Sequence, residues 1–334
     1  CGLEGYWDYH SHSVGRAGAG HVNDYTGNLV FTHPVMGFAS GLMPVSITAV
    51  YNANDKDTDR FGFGCGWRTN YSQRIDAVTL NSTAYLRWED EDGTRHYFKQ
   101  DGSVYKDEDG LEMTITAASS GNPKYTLTDK KDNRWLFDTY GRLYRIENNQ
   151  ATRSAVVINY SNNTGNYILN ITDGSGGFYQ FRYNGALIRQ IDYMGTGSSA
   201  ITTRTFSVTD GNFTASNYPD GKSVSFTYDA NHLLTRAQDI DGYAVTYAYT
   251  TTAAGCPSRV KKISEFSGST AGGELTLSYA HNQTTFTDHK GRKTIAQFNN
   301  LGNTVSVQDD EGRAGYWQYA NDGADESNTT RQNQ

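Results

Sequence analysis

The residues whose type and spacing could do chemistry open the chain: Asp8, His10 and His12 fall at alternate positions in Asp8-Tyr9-His10-Ser11-His12. On a strand, side chains two apart share a face, and one carboxylate with two imidazoles on one face is a donor set for a divalent cation. A packed or solvated aromatic segment accounts for the same residues without a metal. The other histidines are scattered, and none has the His-Glu-x-x-His spacing of a catalytic zinc helix. The expectation is therefore no metal and no cofactor, with Asp8, His10 and His12 as the single candidate set. The acidic runs Glu89–Gly93, Asp107–Gly110 and Asp309–Gly312 end in glycine, as a calcium loop would. Aligning each glycine with the sixth loop position puts Trp88, Tyr105 and Val307 where the first aspartate ligand is required. They read instead as turns, with the acid bonding its own backbone and glycine supplying the positive φ. Nearly all acids lie beside Gly, Asn or Lys rather than in apolar strands that would raise their pKa, which marks no carboxylate pair for glycoside hydrolysis. With no Gly-x-Ser-x-Gly elbow and no phosphate loop either, the chain reads as a non-enzyme.

What positions these residues is a degenerate repeat. Its plainest copy runs from Asp220-Gly221-Lys222 through the alternating Ser223–Thr227 to Tyr228-Asp229, then through Leu233–Ile240 to the next turn at Asp241-Gly242. Gly221 and Gly242 lie twenty-one residues apart, as do Gly291 and Gly312. A fixed period of this length describes hairpins that bury their apolar faces only against neighbours. Composition agrees: aromatics reach 13% although hydrophobic residues are only 36%, which excludes a disordered chain. The expected fold is all-β, with residues 81–320 forming one continuous, curved antiparallel sheet. Residues 1–80 lack the repeat and form an N-terminal lead-in region, and 321–334 form a polar tail. In the lead-in, Trp67 is flanked by Gly64, Cys65 and Gly66, and is expected to anchor that region against the first repeats. Stretches 195–200, 250–255 and 268–273 read as loops.

Weaker copies occur at Asp92-Gly93, at Asn133–Leu143 and around Tyr183-Asn184. With Tyr228-Asp229, they make the chain resemble the RHS or YD-repeat family. The segments Gly20–Leu29, Tyr51–Asn54 and Phe63–Tyr71 resemble the lead-in of wall-associated and secreted RHS proteins of Gram-positive bacteria. The resemblance implies a β-shell around a C-terminal effector or toxin, which is the expected partner, and a secreted or cell-surface location. In that family the cargo is released beside an Asp-Pro-x-Gly core. No Asp-Pro occurs here, since the prolines are Pro34, Pro44, Pro123, Pro219 and Pro257, so core and toxin are expected to lie outside this stretch. Gly221, Tyr228, Asp229, Gly242, Gly291 and Gly312 are expected to be structural. The alternative reading is a glycan-binding adhesion module, in which exposed aromatics stack on sugar rings.

A net charge of −7 with dispersed basic residues argues against nucleic-acid binding, and no apolar run is long enough for a membrane-spanning helix. Cys1, Cys65 and Cys256 have no zinc-ribbon spacing; a single Cys65–Cys256 bridge could form, and Cys1 reads as a fragment boundary or, alternatively, a processed lipoprotein terminus.

Overall fold

The structure is a computed structural model describing residues 2–39, 41–107, 110–161, 165–250 and 258–319. Cys1, Cys256 and the tail lie outside the described residues. Among these residues there is no α-helix; the only helical turns are the 3-10 segments Gly15–Ala17 and Ala53–Asp55. The chain forms two compact units. One comprises Cys1–His33, Tyr51–Asp57 and Ser223–Gln334, the other Pro34–Val50 and Thr58–Lys222.

In the second of these, hairpin follows hairpin from Arg74–Leu80 to Asn212–Asn217, and each strand pairs antiparallel with the next in sequence. The first strand, Arg74–Leu80, begins before the repeat is legible in the sequence. Its N-terminal end also crosses back, with Ile75 N–H bonding Gly141 O at 2.8 Å and Leu143 N–H bonding Gln73 O at 3.1 Å. In the other unit the strands from Ser223–Tyr228 to Ala314–Tyr316 pair in the same manner. This unit also holds the N-terminal hairpin, in which Tyr9–Ser13 pairs with Ala19–Asn23. Stretch 268–273 is not a loop: a turn at 268–269 leads directly into Thr270–Ala280, because the strands pair up to Ser267↔Thr270.

Alternation decides which face is buried. In Ser223–Tyr228, Val224 and Phe226 are buried while Ser223, Ser225 and Thr227 are exposed. The turns share one geometry. Asp288 N–H bonds Arg292 O at 3.0 Å and Gly291 N–H bonds Asp288 O at 3.0 Å, a three-residue loop whose last residue, Gly291, is left-handed at φ 81°. Asp288 Oδ1 then accepts the amides of Lys290 at 2.8 Å and Arg292 at 3.0 Å. The carboxylates of Asp90, Asp129, Asp138, Asp229 and Asp309 grip the same two amides of their own turns.

A second device ties strand to strand. The hydroxyls of Tyr160, Tyr183, Tyr249 and Tyr279 donate to the carbonyls of Leu143, Ile168, Leu234 and Val260, each the first residue of the adjoining strand. Register shifts fall immediately before Tyr160, Tyr183, Tyr228 and Tyr249, and before Phe137 and Phe298, so a bulge accompanies the closing aromatic of these strands. Bulges bend a strand and increase its twist locally.

Two turn glycines separate backbone strain from steric contact. A Cβ on Gly221 (φ 80°) meets nothing within 4 Å, whereas one on Gly141 (φ 74°) would lie 2.0 Å from Ile75 O. Gly221→Ala is expected to destabilise by about 1 kcal/mol, the left-handed strain alone, and Gly141→Ala by several times as much. Equal melting temperatures for the two variants would refute this account.

Candidate functional site

Residues 2–28 lie along the meander of their own unit, and the three candidate ligands are part of that attachment. The Asp8 carboxylate accepts from the Thr304 hydroxyl. His10 Nδ1 lies 2.8 Å from Asp24 Oδ1, and its ring stacks on Phe286 with centroids 4.2 Å apart. His12 Nε2 sits 2.6 Å from the Tyr247 hydroxyl. The three side chains thus reach three different strands instead of converging. Among the described residues no group of three or more His, Cys, Asp or Glu is placed to hold a metal ion. Gly20 pairs directly with His12, and a Cβ there would lie 2.2 Å from the Tyr247 hydroxyl.

Tyr51 completes this attachment at the Tyr228-Asp229 turn. Its hydroxyl donates to His232 O at 3.0 Å and accepts Leu234 N–H at 3.2 Å, while its ring meets Tyr228 edge-on at 6.2 Å. Asp229 holds the amides of Asn231 and Leu233, and His232, at φ 60°, takes the left-handed place that glycine holds in the neighbouring turns. Gly221, Gly242, Gly291 and Gly312 occupy that place at φ 80–84°.

In the other unit the lead-in grips the first hairpins through charge. Glu89 Oε1 accepts from Arg60 at 2.8 Å and from Arg68 at 2.5 Å, and both guanidiniums lie over the Phe61 ring. Arg68 and Glu89 are 2% and 3% exposed at their side chains, so neither charge is relieved by solvent. The adjoining turn brings Asp90 Oδ2 to 3.0 Å from His96 Nε2. Trp67, buried, packs edge-on against Phe213 at 5.0 Å, far along the sequence from the first hairpins; its neighbour Arg68 makes the ionic contact with them. Of these residues, Tyr51 and the buried Arg68–Glu89 pair carry no local mark of their partners in the sequence. The strand-closing tyrosines do, since they recur at the ends of alternating runs.

A model described as a domain of unknown function, DUF6531, matches residues 19–98, and the RHS repeat model matches residues 209–244. The chain thus carries an RHS repeat. The matched repeat contains the Tyr228-Asp229 turn that Tyr51 grips. No curated protein matches the chain. Among solved structures, the RHS-repeat chain is similar to TcdB2-TccC3-Cdc42 and to TcdB2-TccC3 without its hypervariable C-terminal region. Each is 10% identical with a TM-score of 0.29, over 91% of this chain and 24% of theirs. A further TcdB2-TccC3 structure is 9% identical with a TM-score of 0.17. The RHS-repeat chain therefore spans about a quarter of the length of the solved chains it matches.

Both attachments titrate. Burial, reinforced by His21 and His10, lowers His12 from 6.5 to about 4. Unfolded, His12 takes its proton near pH 6.5, so its contribution to stability is complete above that pH and is lost as pH falls toward 4. Burial alone would raise Glu89, but Arg68 and Arg60 outweigh it and bring it from 4.5 to about 2. Its contribution is present above pH 4.5 and is lost as pH falls toward 2. Melting temperature is expected to decline through both windows, with His12→Gln removing the upper decline and Glu89→Gln the lower. A wild-type melting temperature that stays flat from pH 7 to 4.5 would contradict the His12 assignment.

Proposed function

We propose that the chain is a non-enzymatic structural segment of a secreted or cell-surface bacterial RHS protein, in which a lead-in at residues 1–80 braces a repeat sheet at 81–320 that encapsulates or presents a C-terminal effector. The observation that supports this most directly is where the reactive side chains go. The turn aspartates hold backbone amides, the buried tyrosines hold carbonyls, and, among the described residues, the buried ion pair of Arg68 with Glu89 joins the lead-in to the first hairpins. A chain built this way supplies a surface rather than a reaction, and its partner is then the protein's own effector. In the full-length protein, the segment following the repeats is expected to survive a protease dose that digests the same segment expressed alone. Equal digestion rates would overturn the proposal.

A second reading, adhesion to cell-surface glycan, is favoured by Tyr316 and Trp317, which are 79% and 44% exposed at the end of the last described strand and just beyond it. Aromatic rings so presented can stack on sugar rings. Loss of glycan-array signal in Trp317→Ala would support that reading, and an unchanged signal would remove it.

A further inference from the structure

The bulges that accompany the closing aromatics supply an internal comparison. Opposite each one, the partner strand leaves one residue unopposed: Tyr144 before Arg145, Leu169 before Asn170, Arg189 before Gln190, Thr235 before Arg236 and Val305 before Ser306. At the equivalent place opposite Tyr249, where Tyr249 pairs with Val260 and Ala248 with Lys262, the unopposed residue is Lys261. Here alone among these bulges two cations are adjacent, and Arg259 precedes them. A bulge re-aims side chains, and all three border one groove of about 630 Å³ with Thr250, Ser278 and Tyr279.

Three arginines of the meander are neutralised by the carboxylates of their own turns, Arg142 by Asp138, Arg292 by Asp288 and Arg313 by Asp309. In the groove, Lys262 meets Glu274 at 2.7 Å, but among the described residues neither Arg259 nor Lys261 has an ion-pair partner. The sequence 251–257 contains no acidic residue. Arg259 is nevertheless held in place. Its guanidinium lies 5.3 Å from the Tyr279 ring centroid, and the Tyr279 hydroxyl donates to Val260 O at 2.6 Å. Behind them Gly27 leaves room, since a Cβ there would lie 2.7 Å from Arg259 Cβ and from the Tyr279 hydroxyl. A cation fixed in advance loses little side-chain entropy when an anion arrives. Crowded like charges are destabilising without a counter-charge, and this crowding occurs in a chain of net charge −7.

We propose that this groove binds a compact polyanion of two or three charges, phosphate or carboxylate, with Arg259 and Lys261 as its principal ligands and the hydroxyls of Thr250 and Ser278 beside them. A nucleic-acid backbone is disfavoured, because it is held by roughly six to ten cations and this groove has three. The edges of both flanking strands are already paired, Val260–Ser267 with Tyr243–Tyr249 and Thr270–Ala280 with Gln283–Asp288, so a ligand must be held by side chains rather than by strand addition. The proposal goes beyond the shell reading and does not depend on it.

The test is calorimetric titration of the full chain with pyrophosphate in one arm and citrate, a compact tricarboxylate, in the other, each at low and moderate salt. At least one probe is expected to bind, and the arm that binds identifies the source of the anion. Lys261→Gln and Arg259→Gln are each expected to weaken binding roughly tenfold, the loss of one charge-assisted hydrogen bond, while Lys290→Gln, which does not line the groove, leaves it unchanged. Without ligand, Lys261→Gln is expected to melt no lower than wild type, because it relieves repulsion, yet to lose the ligand-induced rise. Binding of neither probe, or wild-type affinity in Lys261→Gln, overturns the proposal. Lys261 is exposed, so its variant decides the matter even if Arg259→Gln fails to fold.

Discussion

A hairpin reverses tightly only where one residue accepts a left-handed backbone and the amides inside the turn find acceptors. In this chain both conditions are met within five residues. Asp288 at the first position takes two amides on one carboxylate oxygen, and Gly291 at the fourth takes the positive φ. Its second oxygen receives Arg292 Nε at 2.7 Å, and Asp138 and Asp309 receive Arg142 and Arg313 in the same way. Such turns set the strand register, and a slip of one residue would move Val224 and Phe226 from the buried face to solvent.

Turns fix each hairpin but leave strand-to-strand closure to longer side chains. The phenols of Tyr160, Tyr183, Tyr249 and Tyr279 reach back to the first carbonyl of the adjoining strand, and burial raises all four well above the ordinary tyrosine value. They therefore remain neutral donors beyond the pH at which an ordinary tyrosine ionises. This gives a physical reason for a tyrosine at those places, since phenylalanine would fill the space but leave the carbonyl without that donor.

The apolar face that the hairpins expose must then be covered, and each unit does so differently. In one, Phe31 packs edge-on against Phe226 and Tyr51 caps the neighbouring turn. In the other, a buried glutamate is shared by two arginines, an arrangement whose desolvation is tolerable only because both partners are present. Removing one partner would leave a charge with no solvent to receive it.

The sequence by itself determined the strand class, the twenty-one-residue spacing of the turn glycines and the turn role of Asp90 and Asp309, because each depends on local chemistry: alternation, positive φ and a carboxylate within reach of its own amides. It also marked Tyr228-Asp229 as part of the repeat. Only the tertiary structure decided what Asp8, His10 and His12 do. Shared spacing showed that they could face one way, but Thr304, Phe286 and Tyr247, which separate them, lie more than two hundred residues on. The partners of Tyr51 and Arg68 were hidden for the same reason. A buried ion pair or a phenol–carbonyl bond depends on which strand lies opposite, and local sequence does not encode that when the partner is brought there by the whole fold.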